Sequence, residues 1–299
     1  MEILSSYRDI SGRIWLLAMV NFINRCGGMI MCFLSLYITE SLHYKLTTAG
    51  IAMSFYGIGA VFGQQVGGYL SDKIGYQRVQ LWSLMGTGIM ILVLMQVRNF
   101  YLLCFVLFIQ NLVSEAFRPA NSVAITANSD LSTRTRSFSL LRVAFNLAIT
   151  IALSVGGWLI TKGWNYVFWV DSFTCFASAL TLYFFVPEVH RITKEQRREN
   201  KLIVANNASP YKDKTYMRFI FASFLGALAF MQIIWTIPPF FKNVYHWNES
   251  QIGLISALNG AVVMLIELPM VSKLEKMMSK LKIIKIGLLV YGLSYLTLT

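Results

Sequence analysis

Charge is scarce in this chain. Asp, Glu, Lys and Arg make up 13% of its 299 residues, and only 14 of them are acidic. Soluble domains carry about 25% charged residues, so a surface of ordinary polarity is excluded. Histidine occurs three times, at His43, His190 and His246, always in a predicted loop. The four cysteines, Cys26, Cys32, Cys104 and Cys175, all fall inside predicted helices. Scattered in this way they form neither a disulfide framework nor a metal site. There is no H-E-x-x-H, no aspartate-rich pair at a helix end and no G-x-x-x-x-G-K-(S/T) loop. A polytopic membrane enzyme and an ATP-driven pump both lack the residues they need, and no cofactor or metal is implied.

What is plentiful is apolar surface. The chain is 56% hydrophobic with a mean hydropathy of +0.57. A helix that crosses a bilayer needs about 20 mostly apolar residues. Such runs occupy 14–38, 50–71, 79–97, 100–128, 138–161, 164–186, 217–241 and 251–271. They are numbered here as spans 1 to 8. A ninth run begins near Ile283 and reaches Thr299. From Ile286 it is about 21 Å long as a helix, less than the roughly 30 Å hydrocarbon core. The sequence is therefore expected to be part of a longer protein. The first run is long enough to span and is not followed by a small-residue cleavage site, so it is not read as a signal peptide.

The net charge of +12 follows topology. Cytoplasmic loops collect Lys and Arg. With the N-terminus inside, twenty of the 26 basic residues fall in inner segments. Only Lys45, Arg98, Lys162 and Lys242 lie outside, and Arg25 and Arg118 lie within spans. The charge is thus no footprint of nucleic acid. It predicts a multi-pass protein of the inner membrane, in contact with the lipid bilayer and with a cytoplasmic N-terminus.

Between spans 2 and 3 the chain reads Gly67-Gly68-Tyr69-Leu70-Ser71-Asp72-Lys73-Ile74-Gly75-Tyr76-Gln77-Arg78. This resembles the loop signature of the major facilitator superfamily, G-x-L-(S/A)-D-(R/K)-x-G-R-(R/K)-(R/K). Gly68, Leu70, Asp72, Lys73, Gly75 and Arg78 match, while Tyr76 and Gln77 replace residues that are usually basic. The resemblance implies an all-α membrane protein with the major facilitator fold. An N-terminal six-helix bundle is expected over 1–186, a basic cytoplasmic linker over 187–215, and part of a second bundle, about three helices, over 216–299. A faint repeat at an offset of 201 residues, from Gly50-Ile51-Ala52 to Gln251-Ile252-Gly253, fits that plan. Asp72, with Lys73 and Arg78, is expected to form a cytoplasmic gate, and Asp130 is a candidate partner for Arg78.

Ionisable residues within spans are costly and mark functional sites. Arg25 on span 1 and Glu115 on span 4 both lie near the midplane, and the family resemblance puts spans 1, 4 and 7 around the central cavity. On span 1, Asn21, Asn24 and Arg25 share a face with Gly28. On span 4, Asn111, Glu115 and Arg118 share a face with Ser122. Gln232 and Trp235 do so on span 7. Arg25 and Glu115 are read as a pair that couples to protons. The competing reading pairs Glu115 with Arg118 three residues on. Asp171 on span 6 is either a second titrating site or an interfacial residue.

Gly59, Gly63 and Gly67 on span 2 let a second backbone approach, either as fixed packing or as a contact that slides between halves. Span 5 carries Arg142, Asn146, Gly156 and Gly157. Its stretch Ala152-Leu153-Ser154-Val155-Gly156-Gly157 resembles the antiporter motif of the drug–proton branch of the family. The Gly-Pro of that motif is missing, which puts the kink of span 5 in doubt.

These residues predict a secondary transporter of a small organic solute. It would work by alternating access as a monomer, with protons as the coupling ion. Multidrug-type efflux by antiport is the first reading. Proton-coupled uptake of a sugar, peptide or organic acid is the alternative.

Overall fold

A computed structural model of the chain describes residues 10–130, 133–186, 213–248, 250–255, 258–259, 262, 274 and 277–296. Residues 187–212 of the linker expected over 187–215 and most of span 8 lie outside the described residues, and a helix already begins at Lys214. Among the described residues all regular structure is helical, as expected. Six helices are long and apolar enough to cross a membrane: Leu46–Ile74, Tyr76–Gln96, Phe100–Ala127, Arg136–Ile160, Trp164–Phe185 and Lys214–Tyr245.

The helices are labelled in chain order. Span 1 comprises α1 (Gly12–Cys26), α2 (Met29–Cys32), α3 (Leu34–Leu36) and a π turn over Tyr37–Ser41. Span 2 is α4 (Leu46–Ile74) and span 3 is α5 (Tyr76–Gln96). Span 4 divides into α6 (Phe100–Glu115) and α7 (Phe117–Ala127). Span 5 is α8 (Arg134–Ile160) and span 6 is α9 (Trp164–Phe185). Then come α10 (Lys214–Trp235), α11 (Ile237–Tyr245) and α12 (Lys280–Leu296). The chain forms two compact units. One is Met1–Arg191 with Ile237–Gly260, and the other is Ile192–Thr236 with Ala261–Thr299.

Local chemistry explains the helix ends. Gly75 closes α4 at φ 97°, a left-handed conformation that a Cβ disfavours. The Asn99 side chain accepts from the amides of Tyr101 (3.0 Å) and Leu102 (3.2 Å) and so caps α6. In the second unit Asp213 caps α10 in the same way, through the amides of Thr215 and Tyr216. Span 5 carries no break: α8 is one helix of 27 residues. The missing proline is the physical reason, since nothing removes a backbone donor from its interior.

The glycines of span 2 face span 4 of the same unit. A Cβ on Gly59 would stand 2.3 Å from the Phe108 carbonyl oxygen, and one on Gly63 2.4 Å from that of Leu112. At Gly67 it would stand 2.5 Å from the Cα of Ala116. The stripe is therefore a backbone-to-backbone seam within the bundle. It holds the helix that carries Glu115 against its neighbour.

At one end of the bundle Ile14, Leu17, Val20, Leu84, Phe117, Ala120 and Leu182 form an apolar core. Large side chains such as Trp82, Tyr101 and Phe173 point outward and are exposed. Apolar residues on the outside and polar ones within suit a multi-pass protein surrounded by lipid.

Candidate functional site

Span 4 loses helical hydrogen bonding at one residue beside its acid, Ala116. That residue keeps helical angles (φ −62°, ψ −23°), so the span still runs from Phe100 to Ala127. Pro119 has no amide to donate to the carbonyl of Glu115 four residues earlier. The hydrogen-bond ladder lapses there, α6 ending at Glu115 and α7 starting at Phe117. Glu115 is 6% exposed. Its carboxylate receives Arg118 Nε at 3.3 Å and Gln64 Nε2 at 3.2 Å. Arg118 itself is 56% exposed along its side chain, so one end of this pair is dry and the other open. One turn earlier, Asn111 is buried and donates to the Tyr56 carbonyl at 2.8 Å.

Arg25 does not take the place expected of it. The acid forms its ion pair with Arg118, three residues along its own span, and not with Arg25. The guanidinium of Arg25 lies over the Phe145 ring of span 5, 5.5 Å from its centroid. Its Nε is buried without a hydrogen-bond partner. Glu115, Arg118 and Tyr56 remain close enough to act on it electrostatically. Two cations therefore share one buried carboxylate, and the acid is bonded to only one of them.

Span 1 is broken just beyond Arg25. Helix α1 stops at Cys26, and α2 resumes at Met29 after Gly27 and Gly28. Asp171 of span 6 is 0% exposed. It accepts the Met29 amide on Oδ1 (3.2 Å) and the Ile30 amide on Oδ2 (2.7 Å). Asn21 is buried on α1, and Asn24 donates to Cys175 Sγ at 3.6 Å.

The loop signature has a different character. Asp72 and Asp130 are exposed, as is Arg78. Lys73 Nζ lies 5.8 Å above the Tyr69 ring. Gly68 has open space at its Cβ position, and Leu70 packs against the apolar core.

On span 5, Arg142 is exposed and Asn146 is half-buried. A Cβ on Gly156 would stand 3.1 Å from Met29 Cβ, so this glycine admits the outer part of span 1. A Cβ on Gly253 would lie 3.1 Å from Gly157 Cα, so that pair is also in close contact. On α10, Gln232 is exposed and accepts a hydrogen bond from Thr236. Gln232 and Trp235 belong to the second unit.

Sequence reasoning missed Gln64, Tyr56 and Phe145. Gln64 was visible as an amide inside an apolar run. Nothing in the sequence marked Tyr56 or Phe145, since aromatic residues abound in every span.

The major facilitator superfamily model matches residues 14–299. The chain is 23% identical over 274 residues to a Na(+), Li(+), K(+)/H(+) antiporter of Planococcus maritimus, covering 82% of this chain and 64% of that protein. It is 24% identical over 247 residues to the class H tetracycline resistance protein of Pasteurella multocida, covering 79% and 60%. The chain thus spans less than two thirds of the length of these relatives. Among solved structures, the nucleoside transporter NupG superposes with a TM-score of 0.67 at 19% identity, covering 89% of this chain and 68% of that one. A structure from a study of proton-dependent oligopeptide transporters gives a TM-score of 0.65 at 15% identity, covering 87% and 69%. These two show a shared fold. The antiporter and the solved structures that this chain resembles are transporters. The matched model, the helical fold and the loop signature agree: this chain belongs to the major facilitator superfamily.

Proposed function

We propose that this protein is a secondary active transporter of the cytoplasmic membrane that exports a small organic solute in exchange for protons. The observation that carries this reading is Glu115, a buried carboxylate held by Arg118 at 3.3 Å and Gln64 at 3.2 Å. The similarity to an antiporter and to a tetracycline resistance protein supports export by antiport.

In the mechanism, Glu115 is the proton site. As a carboxylate it binds Arg118 and Gln64. On taking up a proton it loses the charge that attracts Arg118, and the pair loosens. Arg25 stands nearby with a free Nε, and its positive charge opposes the proton on Glu115. Solute and proton thereby bias the same site in opposite directions, and each shifts the balance between two conformations that it favours unequally. Asn21 and Asn24 share the face of span 1 that carries Arg25, while Asn111 fastens span 4 to span 2 one turn before Glu115. Asp72, Lys73 and Arg78, with Asp130, would close the cytoplasmic side in one of those conformations. The excess of basic residues in inner segments supports a cytoplasmic N-terminus.

The test is solute-driven quenching of a pH gradient in inverted vesicles, with Glu115→Gln alongside. Quenching by a drug or dye that is lost in Glu115→Gln supports the proposal. Transport that persists unchanged in Glu115→Gln removes the proton from this residue. Gradient-driven entry of a nutrient, with no movement of drugs, turns the reading to uptake.

A further inference from the structure

We propose that Asp171 is the anchor of a fixed bend in span 1, and not a group that binds and releases protons during transport. The proposal rests on the reading of span 1 as a wall of the transport cavity. It concerns how that wall is held.

A break in a membrane helix frees backbone amides in a place where water cannot satisfy them. In span 1 the amides at issue are those of Met29 and Ile30. Each finds one oxygen of Asp171. A carboxylate is the acidic or amide side chain that offers two acceptors and no donor. Its charge also complements the positive end of the helical turn it meets.

The approach between the two spans is made for this contact. A Cβ on Gly27 would lie 1.6 Å from Thr174 Oγ1 and 3.2 Å from the Cα of Asp171. At that separation the short arm of Asp fits, and a longer one would not. Thr174 in turn donates to the Asp171 carbonyl at 2.9 Å, which orients the hydroxyl that faces Gly27.

The grip extends along span 6. Cys175 meets Asn24 below the break. Asp171 meets Met29 and Ile30 at the break. Above it, the rings of Phe168 and Trp164 meet Tyr37, with centroids 4.9 Å and 5.2 Å apart. Positions 164, 168, 171 and 175 recur at helical spacing and form one stripe. The stripe follows span 1 through its bend, so both segments are bound to span 6. The direction of the Asn21, Asn24 and Arg25 face is set by this attachment.

The experiment is hydrogen–deuterium exchange of the purified protein, read by mass on peptides covering residues 27–33. In the wild type the Met29 and Ile30 amides exchange slowly. Asp171→Asn keeps one acceptor and releases about one deuteron's worth of protection, and Asp171→Ala releases about two. A side chain that only fills space would make Asn indistinguishable from Asp. The graded loss should stay within these peptides. It should be accompanied by faster maleimide labelling of Cys26 and Cys32, with Cys104 unchanged.

Rapid exchange at Met29 and Ile30 in the wild type overturns the proposal, and this arm needs no variant to fold. Unchanged protection in a folded Asp171→Asn also overturns it. The readout is independent of transport. A chain that moves no solute but shows the graded loss refutes the proposed function and leaves the anchor standing.

Discussion

Spans 1 and 4 are both interrupted and both meet a buried carboxylate, yet they are built on different principles. In span 4 the interruption comes from its own sequence. Pro119 withholds one amide from Glu115, and the hydrogen-bond ladder lapses at Ala116 while the backbone there stays helical. Span 1 breaks at two glycines, and its freed amides are taken by an acid 141 and 142 residues away. The two acids differ accordingly. Asp171 is 0% exposed and bonded to backbone that has no alternative partner. Glu115 is bonded to the ends of two flexible side chains, one of them 56% exposed. A carboxylate tied to backbone is part of the frame. One tied to side chains that can swing away is able to exchange partners.

The comparison breaks most readily at the two acids. Glu115→Gln should lower proton-driven transport by about 100-fold or more while leaving thermal unfolding of the purified protein nearly unchanged. Asp171→Ala should instead cost about 3 kcal/mol of stability, because two buried amides lose their acceptor. Thermal unfolding followed by tryptophan emission checks both. A stable Asp171→Ala together with an unstable Glu115→Gln would reverse the assignment.

Next in size are the two glycines at the bend. Gly27→Ala puts a Cβ 1.6 Å from Thr174 Oγ1, whereas Gly28→Ala puts one 3.3 Å from the Arg25 carbonyl. The first should cost about 2 kcal/mol through overpacking, and the second well under 1 kcal/mol. Equal unfolding temperatures would mean that span 6 does not hold span 1 at this point.

Pro119→Ala returns an amide to span 4. It should raise stability by about 1 kcal/mol or less and slow transport, because the acid shifts as the ladder closes. Vesicle assays and unfolding curves that move in the same direction would argue against a lapse that serves function. The smallest effect is expected at a glycine of span 2 that lies off its seam with span 4. Gly57→Ala meets nothing within 4 Å and should stabilise by about 0.5 kcal/mol. Gly63→Ala, 2.4 Å from the Leu112 carbonyl oxygen, should destabilise.

Much of this was legible in the sequence for direct physical reasons. Apolar runs of bilayer length marked the spans. The loop with Asp72, Gly75 and Arg78 pointed to the family. The charge of Glu115 stood out against its apolar surroundings, and so did that of Arg25. The pairing between them was not legible. Arg118 lies one turn from Glu115 on the same span, and that local contact prevails over a partner on another helix. The break in span 1 was hidden because Gly27 and Gly28 sit within a run long enough to span the bilayer as one helix.

By itself the sequence determined how many apolar segments there are, which loops are basic and which few charges lie within the spans. Each of these depends on residues close together in the chain. Only the tertiary structure decided that the glycines of span 2 face span 4, that Arg25 rests on Phe145, and that Asp171 closes the gap in span 1. Those outcomes depend on which helices become neighbours. A backbone amide freed in a membrane is satisfied by whatever acceptor the fold brings to it.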